Sequence, residues 1–482
     1  MFNIAIIGGG VIGGACFREL TKYKGKFCLL EKEDDVCMGQ SKANSGIVHA
    51  GFDAVPNSNK AKFNVLGNKM MPSYAKELGV KYHNNGSLVL GFNEQDLEVL
   101  TELKQRGEKN GVPGLEIIQG EKLFELEPNL NKNVTCALVA PTGGIVCPYE
   151  LTIAEIGNAM DNGGQLFCNF EVEEVIKEAD GFTIKSANGQ VVQAQMIINC
   201  AGFFGGKIAS LCGDDSIKIG GRKGEYILLD RESGGFVSHT LFTAPTKAGK
   251  GILVTQTVDN NILLGPTAVE VDNDQRLTSK EGLSLIIQKV GEMCANVPLF
   301  NSITSFCGVR AYSDKHDFII EHSQKVNGLI NCVGIESPGL TSAPAIGEYV
   351  VNELVLPQLK LEKNHDFNGV RKPENFFKNL STQEKNELIK KDNRYGKIVC
   401  RCERITEGEI VNAIHANPRA TSVDAVKRRT RAGMGRCQGG FCQSIVAEIL
   451  ARELNISMEE VTKNGKGSEL LVGKCKWKQI TI

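Results

Sequence analysis

Short apolar runs separated by glycine turns and amphipathic segments set the pattern at the start of the chain. Residues 3–7 are apolar throughout and predict a short strand. Gly8, Gly10 and Gly13 follow, and then Cys16, Phe17 and Leu20 recur at helical spacing. A second apolar strand, Phe27 to Leu30, ends at Glu31. The pattern returns twice. MIINCAGFFGGKIA (196–209) is a strand that ends in an Asn-Cys-Ala-Gly turn and starts a helix. NCVGIESPGLTSAPAIGEYVVNEL (331–354) is a strand, a Pro/Gly turn and a helix. Between these blocks, residues 80–140 alternate short strands with a charged helix at Glu94–Lys109. Residues 215–305 hold strand-like runs such as EYILLD and NNILLGP.

The first block carries chemistry as well as structure. Gly8, Gly10 and Gly13 form G-x-G-x-x-G between a strand and a helix. In that setting the first glycine makes the tight turn, the second lets the backbone approach a pyrophosphate, and the third allows helix to pack on strand. The helix N-terminus presents unpaired N–H groups to the phosphates. Glu31, eighteen residues beyond Gly13, is placed to accept from a ribose hydroxyl pair. The loop SKANSGIVHAGFD (41–53) comes soon after and contains one histidine. Three returns to one Rossmann sheet suit a flavin held along its whole length, with Ala201 and Gly202 on the second return and Gly334, Gly339, Leu340 and Thr341 on the third.

Length and charge narrow the class. The 482 residues suggest about three domains, and 41% hydrophobic residues supply large cores. A net charge of −1 argues against nucleic acid as a partner. The charge is uneven, however: residues 395–482 hold 15 Lys/Arg against 9 Asp/Glu, so this stretch is +6 and the rest −7. The opening FNIAIIGGGVIGG lacks the basic flank of a secretory signal. No apolar run approaches the ~20 residues of a membrane span. The expectation is a cytoplasmic protein, peripheral to a membrane complex at most through a partner. Its sixteen cysteines then read as buried thiols and cofactor ligands rather than disulfides.

Four of those cysteines are spaced for a purpose. Residues 357–396 read as a charged connector, after which IVCRCERITEGEI opens a new unit. Cys400 and Cys402 form C-x-C, and Cys437 and Cys442 form C-x4-C, with 34 residues between the two pairs. TEGE (406–409) is a capping box that opens one helix, SVDAVKRRT (422–430) is a second, and SIVAEILAREL supplies a third. Zinc usually takes roughly two to four residues between paired cysteines, which makes C-x-C an awkward clamp. A four-thiolate iron–sulfur cluster fits the spacing better. Lys427, Arg428, Arg429, Arg431 and Arg436 are available to offset its negative charge, and Gly433, Gly435, Gly439 and Gly440 let backbone N–H groups approach sulfur. Zinc remains the alternative at this stage. The closing GSELLVGKCKWKQITI predicts a strand.

Taken together, IIGGGVIGG, SKANSGIVHAG, IINCAG, GVRAYSDKHDFIIE (308–321) and GIESPGLTSAPAIG (334–347) resemble the FAD-dependent D-amino-acid-oxidase superfamily. The branch they resemble holds glycerol-3-phosphate dehydrogenases and oxidases and L-2-hydroxyglutarate oxidases. Residues 400–442 resemble the bacterioferritin-associated-ferredoxin-like [2Fe–2S] domain, which implies that Cys400, Cys402, Cys437 and Cys442 hold a [2Fe–2S] cluster. The resemblance implies a Rossmann-type α/β FAD domain (1–80, 145–215, 320–356) and an antiparallel-sheet substrate domain (81–144, 216–319). A linker (357–396), a small helical iron–sulfur domain (397–460) and a tail (461–482) complete the division. It also implies noncovalent FAD, flavin contacts from Asn44, Ser45 and Gly46, and His49 as the base that takes a hydroxyl proton. Arg310 would hold an anionic group and Ser337 would lie beside substrate and flavin ring. Tyr226 either lines the pocket or is core.

The implied activity is oxidation of sn-glycerol 3-phosphate to dihydroxyacetone phosphate, with electrons relayed through the cluster to a protein acceptor. The alternatives are an L-2-hydroxyglutarate or related 2-hydroxyacid dehydrogenase, an amine or amino-acid dehydrogenase, and an electron-transfer subunit without its own substrate.

Overall fold

The computed structural model describes residues 1–245, 251–372 and 377–473. It divides into two compact units, Met1–Lys32 with Val36–Pro373 and Glu33–Asp35 with Glu374–Ile482. Among the described residues no helix is long and apolar enough to cross a membrane.

In the first unit, Phe2–Ile7 forms the centre of an eight-stranded sheet, parallel to Phe27–Leu30 on one side and Val191–Asn199 on the other. Leu329–Val333 continues the parallel run beyond Val191–Asn199, and Gln165–Phe167 continues it beyond Phe27–Leu30. Ile4, Ala5 and Ile6 are fully buried, as expected for strands covered on both faces. All ten residues of the helix Val11–Leu20 are buried. Its neighbours approach closely because small residues permit it: a Cβ on Gly347 would lie 2.8 Å from the carbonyl of Ala15. A Cβ on Gly13 would lie only 2.0 Å from Gly8 O, so nothing larger fits there.

Cys16, Cys200 and Cys332 come from this helix and from two strands' ends, and their sulfur atoms lie within 4.8 Å of one another in the buried core. Sequence spacing gave no sign of this convergence, because the three thiols meet only once helix and sheet are packed.

A second, nine-stranded sheet is built from Ser87–Gly91, Glu116–Gln119, Cys136–Ala140 and six strands between Ile219 and Ser313. It is antiparallel except where Thr240–Thr243 lies parallel to Ser87–Gly91. Those two strands arrive from distant parts of the chain, so no hairpin forces their direction. Ile219–Leu229 pairs along Ser302–Ser313, which sets Arg222 directly opposite Arg310.

The second unit packs the helices Glu407–His415, Val423–Thr430 and Gln443–Leu454 around Ile405, Ile410, Ile414, Val426, Leu450 and Val461. The predicted capping box is present: Glu409 N–H donates to Thr406 Oγ1 at 3.3 Å, and Thr406 N–H donates to Glu409 Oε2 at 2.7 Å.

The connector expected over 357–396 is instead divided between the units and ordered in both. Asn364 N–H donates to Lys22 O, and Arg371 N–H donates to Glu77 O, each at 2.8 Å. On the other side Phe377 N–H donates to Glu409 Oε1 at 2.9 Å, and Thr382–Lys391 is a helix with its own capping box. Polar residues order this stretch by hydrogen bonding to backbone, which leaves no apolar periodicity to read. The tail differs as well. Val461 is core, and Thr462 bridges Glu469 in place of the strand predicted there. The rest of that predicted strand, residues 474–482, lies outside the described residues.

The tripeptide Glu33–Asp35 belongs to the second unit because Asp35 is bound there by two arginines. Arg428 donates to its carboxylate at 2.5 Å, and Arg429 donates twice at 2.8 and 2.9 Å. Burial alone would raise the Asp35 carboxyl, but Arg429 and Arg428 outweigh it and hold the pKa at about 2. A depressed folded-state value means that the contribution is present above the unfolded value of ~3.9 and lost as acid approaches the folded one.

Two outcomes follow from these packings. Gly13→Ala should yield protein purified without flavin, measured as the ratio of flavin to protein absorbance; full occupancy would contradict the close approach. Asp35→Asn should lower the stability of the holoprotein by at least about 2 kcal/mol at pH 7. The gap from the parent should close as pH falls from ~4 toward 2, followed by denaturant titration at each pH.

Candidate functional site

The glycine turn forms a cradle of backbone donors. Gly8 has φ +113°, which admits no side chain comfortably, and a Cβ there would also meet Cys200 O at 2.4 Å. Gly9 N–H donates to Glu31 Oε2 at 2.7 Å, and Val11 N–H donates to Ser41 Oγ at 3.0 Å. Glu31 is therefore anchored beside the turn by one oxygen at the end of its strand. Asn199 fixes the second return: its Nδ2 donates to Gly205 O, and its Oδ1 accepts from Ala201 N–H. Gly202 has φ +56°, and a Cβ there would meet nothing within 4 Å. Gly334 has φ +66° and turns the chain toward Gly339, where the helix Gly339–Tyr349 begins, with Leu340 half-buried. Thr341 Oγ1 accepts from His49 N–H at 2.9 Å and donates to Ile47 O at 3.3 Å. A strand–turn–helix of glycines, an acid at the next strand end and open space at Gly202 together fit a dinucleotide.

His49 is held from both backbone sides and through its ring. Besides the Thr341 contact, its carbonyl accepts from Asn64 Nδ2 at 2.6 Å and Asn68 Nδ2 at 3.1 Å. Its Nε2 lies 3.2 Å from Ser337 Oγ, and its ring is 5.8 Å from that of Phe242. The loop before it is shaped by Asn44, whose Oδ1 accepts from Gly46 N–H at 2.9 Å.

Arg310 lies on Ser302–Ser313 and donates through Nη2 to Thr267 O at 2.9 Å. Its Nε is buried with no hydrogen-bond partner. Directly opposite, Arg222 is neutralised by Glu270 at 2.9 Å and Glu336 at 3.5 Å, and Glu336 also pairs with Lys60 at 2.9 Å. Among the described residues Arg310 forms no ion pair. Like charges facing each other across a strand pair are unfavourable, and a buried Nε–H without a partner is costly even in a half-buried arginine, so this position suits an anion.

Tyr226 is packed in the sheet. It is 3% exposed and stacks on Phe306 with ring centroids 4.8 Å apart. Burial raises its hydroxyl, against the opposing influence of Arg310 and of a hydrogen bond with Ser45. The hydroxyl thus meets the flavin-side loop without the ring being free.

Gln40 escaped the sequence reading, yet it ties the two halves of the site. Its Oε1 accepts from Ala311 N–H at 2.8 Å, and its Nε2 donates to Ile335 O at 2.9 Å. Asn64 and Asn68 escaped as well, since nothing in an Asn on a long helix announces a carbonyl 15 or more residues away. The SKANSGIVHAG loop carries the only local signal for Gln40, which immediately precedes it.

In the second unit the four predicted thiols come together as two pairs. Cys402 Sγ and Cys437 Sγ are 3.6 Å apart, close to the ~3.8 Å edge of a tetrahedron with ~2.3 Å metal–sulfur bonds. Cys400 is lowered to about 6 by a hydrogen bond from Cys442, against the effect of burial, and by the N–H groups of Gly433 and Glu403. Burial pushes Cys437 up, but Cys402 and the N–H groups of Gly439, Phe441 and Gly440 more than offset it. A Cβ on Gly435 would sit 2.3 Å from Cys402 Cβ, so glycine is required for this approach.

Among the described residues, the group of three ligand atoms within 4.8 Å of one another is the Cys16, Cys200 and Cys332 set, so no three of these four thiols converge so tightly. The donor set fits a [2Fe–2S] cluster, with one thiol pair for each of two irons. The cations expected to offset cluster charge are partly engaged elsewhere: Arg428 and Arg429 with Asp35, and Arg431 with Glu403 at 3.0 Å.

Comparison with known proteins agrees with both sites. The family model for FAD dependent oxidoreductases matches residues 3–353, and that for the BFD-like [2Fe-2S] binding domain matches residues 398–452. The chain is 47% identical over 477 residues to a protein of Caloramator mitchellensis named glycerol 3-phosphate dehydrogenase, covering 99% of each. It is 31% identical to a structure of L-alpha-glycerophosphate oxidase from Mycoplasma pneumoniae with FAD bound, at a TM-score of 0.73, covering 77% of this chain and 98% of that one. A human mitochondrial L-2-hydroxyglutarate dehydrogenase is 32% identical over 284 residues, covering 56% of this chain and 61% of its own. The family matches cover the glycine cradle and the four thiols, and the chain belongs to the FAD dependent oxidoreductase family, with a BFD-like [2Fe-2S] binding domain over residues 398–452.

Proposed function

We propose that this chain oxidises sn-glycerol 3-phosphate to dihydroxyacetone phosphate and passes the electrons to a protein acceptor other than oxygen. The observation that carries the proposal is Arg310, a half-buried arginine whose buried Nε has no hydrogen-bond partner and which forms no ion pair among the described residues, set across from an already neutralised Arg222. Support for phosphate over dicarboxylate comes from the full-length relative named for glycerol 3-phosphate.

The side chains divide the work. Arg310 binds the phosphate through the donors that Thr267 leaves unused. His49 Nε2 takes the proton of the C2 hydroxyl, with the carbonyl forming as the C2 hydrogen leaves as hydride. Ser337 Oγ, 3.2 Å from that nitrogen, holds the ring in position until the substrate hydroxyl replaces it. Asn64, Asn68 and Thr341 fix the backbone of His49, so the ring does not have to search for its place. When bound, FAD supplies the two-electron hydride acceptor, and the cluster held by Cys400, Cys402, Cys437 and Cys442 supplies a one-electron carrier. An L-2-hydroxyglutarate dehydrogenase would use the same base and the same arginine, and the human relative keeps that reading in view.

Anaerobic spectra separate these readings: glycerol 3-phosphate should bleach the flavin, and L-2-hydroxyglutarate should not. Bleaching by the hydroxyacid alone would reverse the assignment, and bleaching by neither would favour a chain that only carries electrons. His49→Ala should retain FAD but bleach roughly 10²–10⁴-fold more slowly. Arg310→Ala should raise KM for glycerol 3-phosphate by roughly ten- to a hundredfold, as expected for loss of a charge-assisted hydrogen bond. Cys402→Ser should lose the cluster's visible and electron paramagnetic resonance signals while flavin bleaching persists; retained signals would remove Cys402 from the ligand set.

A further inference from the structure

The four thiols are not equally accessible. Cys400 and Cys442 are 1% and 2% exposed, whereas Cys402 and Cys437 are half-buried and reach the surface. A carrier held by all four is therefore open to solvent on the Cys402/Cys437 side. Single-electron transfer weakens steeply with distance, so this side is where electrons can leave for another protein.

The surface around that edge has a definite composition. Phe441 directly precedes Cys442, and its backbone N–H is directed at the Cys437 thiol. Its side chain is nevertheless 83% exposed. A large aromatic left in water is among the residues that most often anchor protein–protein contacts. Arg401 lies between Cys400 and Cys402, Arg404 two residues beyond, and Arg436 directly before Cys437, and all three are exposed. The nearby carboxylates point inward. Glu403 is 3% exposed and pairs with Arg431 and Lys378, Glu407 pairs with Lys397 and Arg452, and Glu409 is consumed by its capping box. The edge is thus an apolar point with a cationic rim and its acids withdrawn.

We propose that Phe441, Arg401, Arg404 and Arg436 form the docking surface for a small acidic one-electron carrier protein, which takes one electron at a time from the cluster through the Cys402/Cys437 edge. No bond is made or broken: the cluster is oxidised by one electron and the carrier reduced by one. The proposal rests on the reading of the chain as a dehydrogenase that hands electrons on, and it adds the exit face and the charge of the acceptor. An acidic partner is selected because cationic side chains steer it toward the edge and repel a basic one. Phe441 then supplies desolvated contact at the centre of the rim.

Two haem carriers of opposite charge test this with the full holoenzyme. Cytochrome b5 is acidic and cytochrome c is basic, and both report their reduction optically. Enzyme reduced anaerobically with dithionite, and freed of excess reductant by anaerobic desalting, should reduce cytochrome b5 in a second-order process at least roughly tenfold faster at low than at high ionic strength. The titrated affinity of the oxidised proteins should fall with salt in the same way. Arg401→Glu with Arg404→Glu should lower both rate and affinity by a similar factor, and Phe441→Ala should weaken affinity at every ionic strength. Arg401→Gln with Arg404→Gln should give an intermediate loss, and cluster absorbance checks that each variant is loaded.

Salt-independent reaction with cytochrome b5, or a preference for cytochrome c that the charge reversals do not alter, would overturn the proposal. Because dithionite replaces the substrate, a failure of glycerol 3-phosphate to bleach the flavin would count against the proposed substrate and leave this test intact.

Discussion

Everything in the flavin-binding unit depends on how closely the helix Val11–Leu20 approaches the turn that precedes it. The absence of a side chain at Gly13 lets the helix settle against the Gly8 carbonyl, and only then does the helix N-terminus open toward the cofactor. The same approach brings Gly9 N–H to Glu31 and Val11 N–H to Ser41, so two separate chain segments are registered on one turn. From Ser41 the chain runs through Gln40 and Asn44 contacts to His49, whose backbone is already held by Thr341. The loop that carries His49 is therefore registered at one end on the turn that a missing side chain makes possible and at the other on Thr341.

The local parts of this arrangement were legible in the sequence. The glycine turn, Glu31, the charged helix Glu94–Lys109 and the Thr406/Glu409 capping box are each specified by neighbours within about one helical turn or one βαβ unit. His49 and Arg310 were picked out through resemblance, because the motifs around them stand intact in the sequence. What stayed hidden depends on distant partners. Asn64 and Asn68 earn their role only when their helix lies beside His49 O. Asp35 finds Arg428 and Arg429 almost four hundred residues away, and the cationic run that looked reserved for the cluster is partly committed to it. The stretch 357–396 looked like solvated connector because its order comes from polar side chains and backbone, which leave no hydrophobic period.

Arginine is used in three distinct ways, and the surroundings decide which. Arg222 is saturated by two carboxylates and stiffens the sheet around the site. Arg310, opposite it, forms no ion pair among the described residues and keeps an unpartnered Nε, a donor set suited to an anion. Arg428 and Arg429 are buried with Asp35, where each charge would be expensive without the other.

The placement of Asp35 also bears on how such a protein can be assembled from parts. The chain passes between its two compact units at residues 32–33, again at 35–36 and once more near 373–374. An iron–sulfur module added to a flavoenzyme at one junction could be removed by one cut, leaving each part complete. Here a cut near residue 373 would strand Asp34 and Asp35 inside the flavin half, without the guanidinium groups that neutralise Asp35, and would leave those arginines facing an empty seat. The iron–sulfur unit is thus discontinuous in sequence, and it can be exchanged among relatives only together with the short acidic stitch that follows Glu31.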